Sequence, residues 1–265
     1  MTRPKYGQNF LVDNNIAKKI IKIATLQQID TVLEIGFGHG ILTKIIQPNV
    51  KLLLAIDIDR YLARELQLYC KKQNIHNINI MNVNFLQYDL QYLIRSTQSF
   101  KIISNLPYNI ATKIIQKILP IKNWKMAVLM VQKEIAQRIV AKPHDKNYGY
   151  LSLFISYYAY SKILFNVQST CFIPQPKVVS SVIMLTNKRT SILTEKYTKL
   201  LFDIIKHFFK TRRKTVLNCL SSFNNLGKVN ALTILNLCNL NKLLRPNELS
   251  LLNFVQLIKV LKNKD

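Results

Sequence analysis

Strand-like apolar segments alternate with helical ones over the first 186 residues, and helical stretches alone follow. That order predicts an α/β domain with a small C-terminal all-α domain. A glycine cluster makes the α/β part Rossmann-like. The chain has six glycines, where roughly 18 would be average. Three of them, Gly36, Gly38 and Gly40, fall within five positions. They follow an apolar strand-like segment, Thr31–Ile35, and precede a helical pattern over 41–46 closed at Pro48. Strand, glycine loop and helix open doubly wound domains, because glycine adopts positive φ and puts no Cβ between main chain and ligand. The spacing is G-x-G-x-G, and Ile41 stands where the dinucleotide pattern G-x-G-x-x-G needs its last glycine. NAD is thereby disfavoured.

Charge is the dominant compositional feature. The chain carries 38 basic and 13 acidic residues, a net +25, which points to a polyanionic partner and first of all to nucleic acid. Residues 187–265 hold 15 of the basic and 4 of the acidic residues, so charge is densest there. The longest apolar runs are five or six residues, far short of a membrane span. The N-terminus has no apolar signal core, so a cytoplasmic protein is expected. Cys70, Cys171, Cys219 and Cys238 are scattered and read as reduced thiols. The histidines are isolated too, and no metal site is expected.

Taken in order, Asp13 is placed to cap a helix whose Ile16, Ile20, Ile23 and Ala24 form one stripe. Residues 51–57 read as a buried second strand ending in a carboxylate, and a helix follows from about 59 to 72. A third strand is expected over 77–84 and a fourth over 100–104, running into Asn105-Leu106-Pro107-Tyr108. A helix over 110–119, an apolar fifth strand over 125–131 and a helix over 133–141 come next. Strands are expected over 157–167 and 178–186, flanking the stiff segment 171–177. After the polar linker 187–191, helices are expected near 193–210, 212–221, 228–238 and 247–262. The domain boundary is therefore set between 188 and 189. The basic run 210–214 opens one of the last helices, where it is either a phosphate grip or a solvated helix end.

Ligands of open α/β sheets bind at the carboxyl ends of the strands. Asp57 ends the second strand 21 residues after Gly36, the position and type that accept both hydroxyls of a ribose. Strand alternation does not separate it from Asp59, but Asp57 ends the apolar run. Asn84 ends the third strand and is suited to an adenine edge. A nucleoside cofactor without pyrophosphate fits the loop, and S-adenosylmethionine is the candidate. The turn Asn105-Leu106-Pro107-Tyr108 carries the chemistry. An exocyclic adenine amine has its lone pair conjugated into the ring, so it is a poor nucleophile. Two acceptors on that amine, the Asn105 side-chain oxygen and the Leu106 carbonyl, bias it toward a tetrahedral form. Pro107 stiffens the turn, and Tyr108 offers a face for a flipped base. Transfer then needs alignment and no dedicated base.

These residues resemble those of the small-subunit ribosomal RNA adenine dimethyltransferases, the kasugamycin-sensitivity methyltransferase family, over essentially the full length. Gly7-Gln8-Asn9-Phe10-Leu11, Glu34-Ile35-Gly36-x-Gly38, Asn105-Leu106-Pro107-Tyr108, Tyr148-Gly149-x-Leu151-Ser152 and Phe172-x-Pro174-x-Pro176-Lys177-Val178 match its motifs. The resemblance implies a class I S-adenosylmethionine methyltransferase sheet. It implies cofactor contacts from Asn9, Leu11, Gly36, Gly38, Asp57, Asn84 and Asn105. It also implies that Phe172 sandwiches the target base against Tyr108; read from the residues alone, Phe172 is equally a core plug. Domains follow as 1–188, cofactor-binding and catalytic, and 189–265, contacting RNA. The implied reaction is N6,N6-dimethylation of two adjacent adenosines in the 3′-terminal hairpin of 16S rRNA within the immature small subunit, by a monomer.

Some positions depart from the family pattern. Asn84 stands for a usual Asp and loses a charge-assisted bond. Phe37 replaces Pro, Gln175 a Pro, Val179 an Asp and Tyr150 an Arg. The alternatives are the related large-subunit branch that confers macrolide resistance and a non-catalytic RNA-binding assembly or transcription factor. The first tends to have Ile where Leu106 stands; the intact Asn105–Tyr108 turn argues against the second.

Overall fold

A short strand, β1 (Phe10–Leu11), precedes the helix α1 (Asn14–Ala24). Asp13 caps that helix by accepting from the N–H groups of Asn15 at 2.8 Å and Ile16 at 3.1 Å. The computed structural model describes residues 8–90, 98–189 and 192–262. Gly7 of the N-terminal motif and part of the linker after Asn187 lie outside the described residues.

The unalternating apolar runs become strands largely buried on both faces, as parallel sheets require. They are β2 (Thr31–Ile35), β3 (Leu52–Asp57), β5 (Phe100–Asn105) and β6 (Trp124–Gln132), while the alternating run gives the half-exposed edge strand β4 (Ile78–Asn82). The short β8 (Phe172–Ile173) pairs antiparallel with β1 and follows β7 (Ala159–Val167). With β9 (Ser180–Asn187), the main sheet has seven strands in the order β4-β3-β2-β5-β6-β9-β7. β2 to β6 are mutually parallel, and β9 is antiparallel to both β6 and β7. The strand order reverses between β2 and β5, which opens a crevice at their carboxyl ends. Trp124 is buried in the sheet's core.

The connecting helices are α2 (Thr43–Ile46), α3 (Arg60–Lys72), α4 (Ala111–Ile118) and α5 (Lys133–Val140). The first is shorter than expected: after Ile46 the chain tightens into a 3₁₀ turn, Gln47–Asn49, that accommodates Pro48 at its start.

The chain divides into two compact units, residues 1–136 with 159–189, and residues 137–158 with 190–265. The sequence-based division at 188 is thus corrected by one excursion. Residues 150–158 form a helix, α6 (Tyr150–Tyr158), where a strand was expected to begin at 157. Leu151, Leu153, Phe154, Ile155 and Tyr157 are all buried, so the helix is apolar nearly all round and shows no helical period in the sequence. Its partner is α7 (Glu195–Lys210), whose Phe202 ring lies 4.8 Å from that of Phe154 and 5.4 Å from that of Tyr157. The helices α8 (Val216–Ser222), α9 (Lys228–Leu237) and α10 (Leu251–Lys262) complete this unit. The run 210–214 does not open a helix. Lys210 ends α7, a turn follows, and Thr215 caps α8.

In the first unit, Lys101 of β5 joins the sheet to the end of α1. Its ammonium donates to Asp30 at 2.8 Å, the Thr25 carbonyl at 2.8 Å and the Ala24 carbonyl at 3.3 Å. Both side chains are about nine-tenths buried, so removing Lys101 leaves the Asp30 carboxylate with the Gln27 N–H, at 2.8 Å, in place of an ion pair. Lys101→Met is expected to cost about 3 kcal/mol of stability in urea unfolding. A change within experimental error would show that solvent reaches the pair.

Candidate active site

The carboxyl ends of β2, β3, β4 and β5 surround a cavity of about 250 Å³. Gly36, Gly38 and Gly40 have φ of +73°, +56° and +76°, which keep the β2–α2 loop tight beneath it. A Cβ on Gly38 would sit 2.8 Å from the Phe10 ring, so the N-terminal strand packs directly on the loop. A Cβ on Gly36 would lie 3.4 Å from the Pro107 ring. The glycine loop and the Asn105–Tyr108 turn therefore touch.

Asp57 lines the cavity and Asp59 does not. The Asp57 carboxylate accepts from the Gly38 N–H at 3.0 Å and the Asp59 N–H at 2.9 Å, one on each oxygen. Its remaining lone pairs are free for a diol. Burial pushes its pKa up, against the pull of these N–H groups. Asp59 caps α3, accepting from the Tyr61 N–H at 2.9 Å. Asn84 lines the cavity, and its side-chain oxygen accepts from the Leu86 N–H at 3.0 Å. Asn9 and Leu11 line it too.

Asn105 has the most informative environment. Its amide nitrogen donates to the Asn9 carbonyl at 3.1 Å. That bond sets which end of the amide points where, and the side-chain oxygen is left buried with no partner among the described residues. A buried acceptor without a donor is costly and marks a group held for something absent. Leu106 donates its N–H to Met130 at 3.1 Å, and no described residue donates to its carbonyl. Tyr108 lines the cavity, and its hydroxyl is hydrogen-bonded to the buried Ser180 hydroxyl, which fixes the ring. Burial raises the Tyr108 pKa, so it stays a neutral phenol.

Phe172 does not join this group. Its ring is buried in the core, outside the cavity lining, while its backbone pairs with Leu11. Of the two readings open for this side chain, the structure places it as the core plug.

Glu34 lines the cavity and was given no role from the sequence. A lone carboxylate inside the apolar strand Thr31–Ile35 was the signal available. It accepts from the Thr43 hydroxyl at 2.8 Å. Burial, with the charge of Asp57 adding to it, pushes its pKa up to about 8 against that hydrogen bond. The residues suit S-adenosylmethionine: a carboxylate for a ribose, apolar Phe85 and Leu86 beside Asn84 for a purine, buried acids for a cationic ligand, and an orphaned acceptor for an amine. Among the described residues, no group of His, Cys, Asp and Glu is arranged to hold a metal.

The strand order, the reversed β9 and this cavity define a class I S-adenosylmethionine-dependent methyltransferase. A family model described as ribosomal RNA adenine dimethylase matches residues 1–261. The ribosomal RNA small subunit methyltransferase A of Malacoplasma penetrans (strain HF-2) is 41% identical over 219 residues, 83% of this chain and 78% of that protein. The chain belongs to the ribosomal RNA adenine dimethylase family. The ribosomal RNA small subunit methyltransferase A of Clostridium botulinum (strain Loch Maree / Type A3) is 40% identical over 219 residues, 82% of this chain and 79% of that protein. A dimethyladenosine transferase from Plasmodium falciparum superposes with a TM-score of 0.85 at 26% identity, over 96% of this chain and 98% of that one. The 23S rRNA methyltransferase ErmE shares the fold, with a TM-score of 0.71 at 20% identity over 96% and 100%.

Glu34 gives the free protein a pH signature. Its pKa is raised in the folded state from 4.5 to about 8, so folding favours the neutral acid. Its stabilising effect is complete below 4.5 and lost as pH rises through about 8. Between pH 5 and 8.5, the ligand-free protein should lose on the order of 4 kcal/mol relative to Glu34→Gln. Parallel stability curves for the two proteins would show that Glu34 is solvated.

Proposed function

We propose that this chain transfers methyl groups from S-adenosylmethionine to the N6 amines of two adjacent adenosines in the 3′-terminal hairpin of 16S rRNA. Adenine dimethylation in ribosomal RNA is the activity of its family, and the relatives' shared name places that reaction in the small subunit. The observation that carries the chemistry is the unpartnered Asn105 oxygen beside the free Leu106 carbonyl.

When bound, S-adenosylmethionine supplies a methyl group on a sulfonium. Asp57 holds the ribose hydroxyls, while Asn84 and the Phe85 N–H, which no described residue accepts, read the adenine. The glycine loop lets main chain reach the cofactor. On the acceptor side, the Asn105 oxygen and the Leu106 carbonyl accept hydrogen bonds from the two N–H groups of the unmethylated target amine. The nitrogen then leaves conjugation and turns its lone pair to the methyl carbon. Bound there, the cofactor would supply the methyl group to that lone pair, and the proton lost from the nitrogen would pass to water, since no dedicated base lines the turn. A second transfer to the same nitrogen starts with a single N–H, so only one of the two acceptors is engaged by it then. Pro107 keeps both acceptors in place, so little reorganisation is needed as charge develops. Tyr108, its hydroxyl tied to Ser180, offers a fixed ring for the target base.

RNA contact is assigned to the basic second unit and the chemistry to the first. The protein is proposed to act as a cytoplasmic monomer; among the described residues no helix is long and apolar enough to cross a membrane.

Labelled S-adenosylmethionine with under-methylated small subunits should yield N6,N6-dimethyladenosine in 16S rRNA, and its absence sinks the reading. Asn105→Ala should lower the methylation rate by about 100-fold or more, by analogy with loss of one preorganised catalytic donor. RNA binding should stay near wild type in a filter assay. Equal loss of both would make Asn105 a structural residue.

A further inference from the structure

Lys117 lies on α4 and has no part in the site as described so far. Its ammonium donates to the main-chain carbonyls of Phe85 at 2.8 Å, Leu86 at 2.8 Å and Tyr88 at 2.6 Å. Those three bonds use every proton the group has. All three carbonyls belong to the turn that follows β4. Asn84 organises the same turn from inside: its main-chain carbonyl accepts from the Gln87 and Tyr88 N–H groups at 3.0 Å each, and its side chain accepts from Leu86. Asn84, Phe85 and Leu86 line the cavity.

Three carbonyl dipoles aimed at one point repel each other unless a cation sits between them. Lys117 is that cation, with its Nζ also 5.5 Å from the centre of the Phe85 ring. It is rooted in the helix that continues from the Asn105–Tyr108 turn, so it ties this turn to the methyl-acceptor side of the site. Without it, the turn has to be ordered at the moment of binding, and ordering costs affinity.

We infer that Lys117 is a positioning residue for the cofactor's base: it holds the 84–88 turn so that Asn84 and the Phe85 N–H select adenine. The inference rests on the cofactor reading above. Adenine offers an acceptor at N1 and an amine at C6, whereas hypoxanthine offers a donor and a carbonyl. A rigid turn with an N–H at the N1 position rejects the second base because two donors face each other; a loosened turn rejects it less.

The test uses the full-length chain. Affinities for S-adenosylhomocysteine and S-inosylhomocysteine are measured by calorimetry for wild type, Lys117→Met, Lys117→Gln and Lys117→Arg, with Lys113→Met as a control exposed on the same helix. Lys117→Met should bind S-adenosylhomocysteine about tenfold or more weakly, since charge-assisted bonds are lost. The preference over the inosine compound should shrink, cofactor KM should rise, and kcat at saturating cofactor should stay within about twofold. Lys117→Gln should follow Lys117→Met and carries the test if that variant does not fold, while Lys117→Arg should recover part of the preference. Unchanged affinity and preference in a folded variant overturn the inference. So does an equal loss for both ligands with a lowered melting temperature, which is the mark of a merely structural lysine. Wild type failing to bind S-adenosylhomocysteine would overturn the cofactor reading and this inference with it; wild type binding, with Lys117→Met and Lys117→Gln unaffected, overturns this inference alone.

Discussion

The site depends on the hydrogen bond from the Asn105 amide to the Asn9 carbonyl. An asparagine amide has a donating and an accepting end, and a free one samples both orientations. Fixing the donating end to the main chain removes that choice and leaves the oxygen as a dedicated acceptor in the cavity wall. The partner carbonyl is itself held firmly, since the neighbouring β1 pairs with β8 and Phe10 leans on Gly38. A segment from the beginning of the chain thus sets the direction of a group nearly a hundred residues later. Glycine at 38 is what allows that packing.

The electrostatics of the cavity run against those of the chain. A protein with a net charge of +25 places two of its few carboxylates, Glu34 and Asp57, side by side at the cavity wall. Both are disfavoured as anions by burial. A cationic ligand beside them would favour their ionised forms. The basic residues, in contrast, are mostly exposed and suited to long-range attraction of RNA.

Much of the architecture was legible because parallel strands bury both faces and so read as unbroken apolar runs, as at Leu52–Asp57. The glycine loop and the Asn105–Tyr108 turn were legible because their residue types answer backbone and chemical demands that few other residues meet. What could not be read depends on neighbours. Asp57 and Asp59 share a strand parity, and only the start of α3 separates wall from cap. Tyr150–Tyr158 is apolar all round and shows no period because it is covered all round. Phe172 could not be assigned from its prolines, since a core ring and a stacking ring look alike in sequence. Lys117 looks like any lysine on a basic helix; its role exists only because three distant carbonyls converge on it.

The excursion of residues 137–158 into the second unit separates the order of synthesis from the order of assembly. On the ribosome, α6 emerges before β7 and β9 and well ahead of α7. The sheet can therefore close while α6 still lacks Phe202, the ring that its Phe154 and Tyr157 pack against. A helix so apolar, made early and paired late, leaves hydrophobic surface uncovered on the nascent chain until α7 follows. The unit that closes last is the one whose first helix has waited longest.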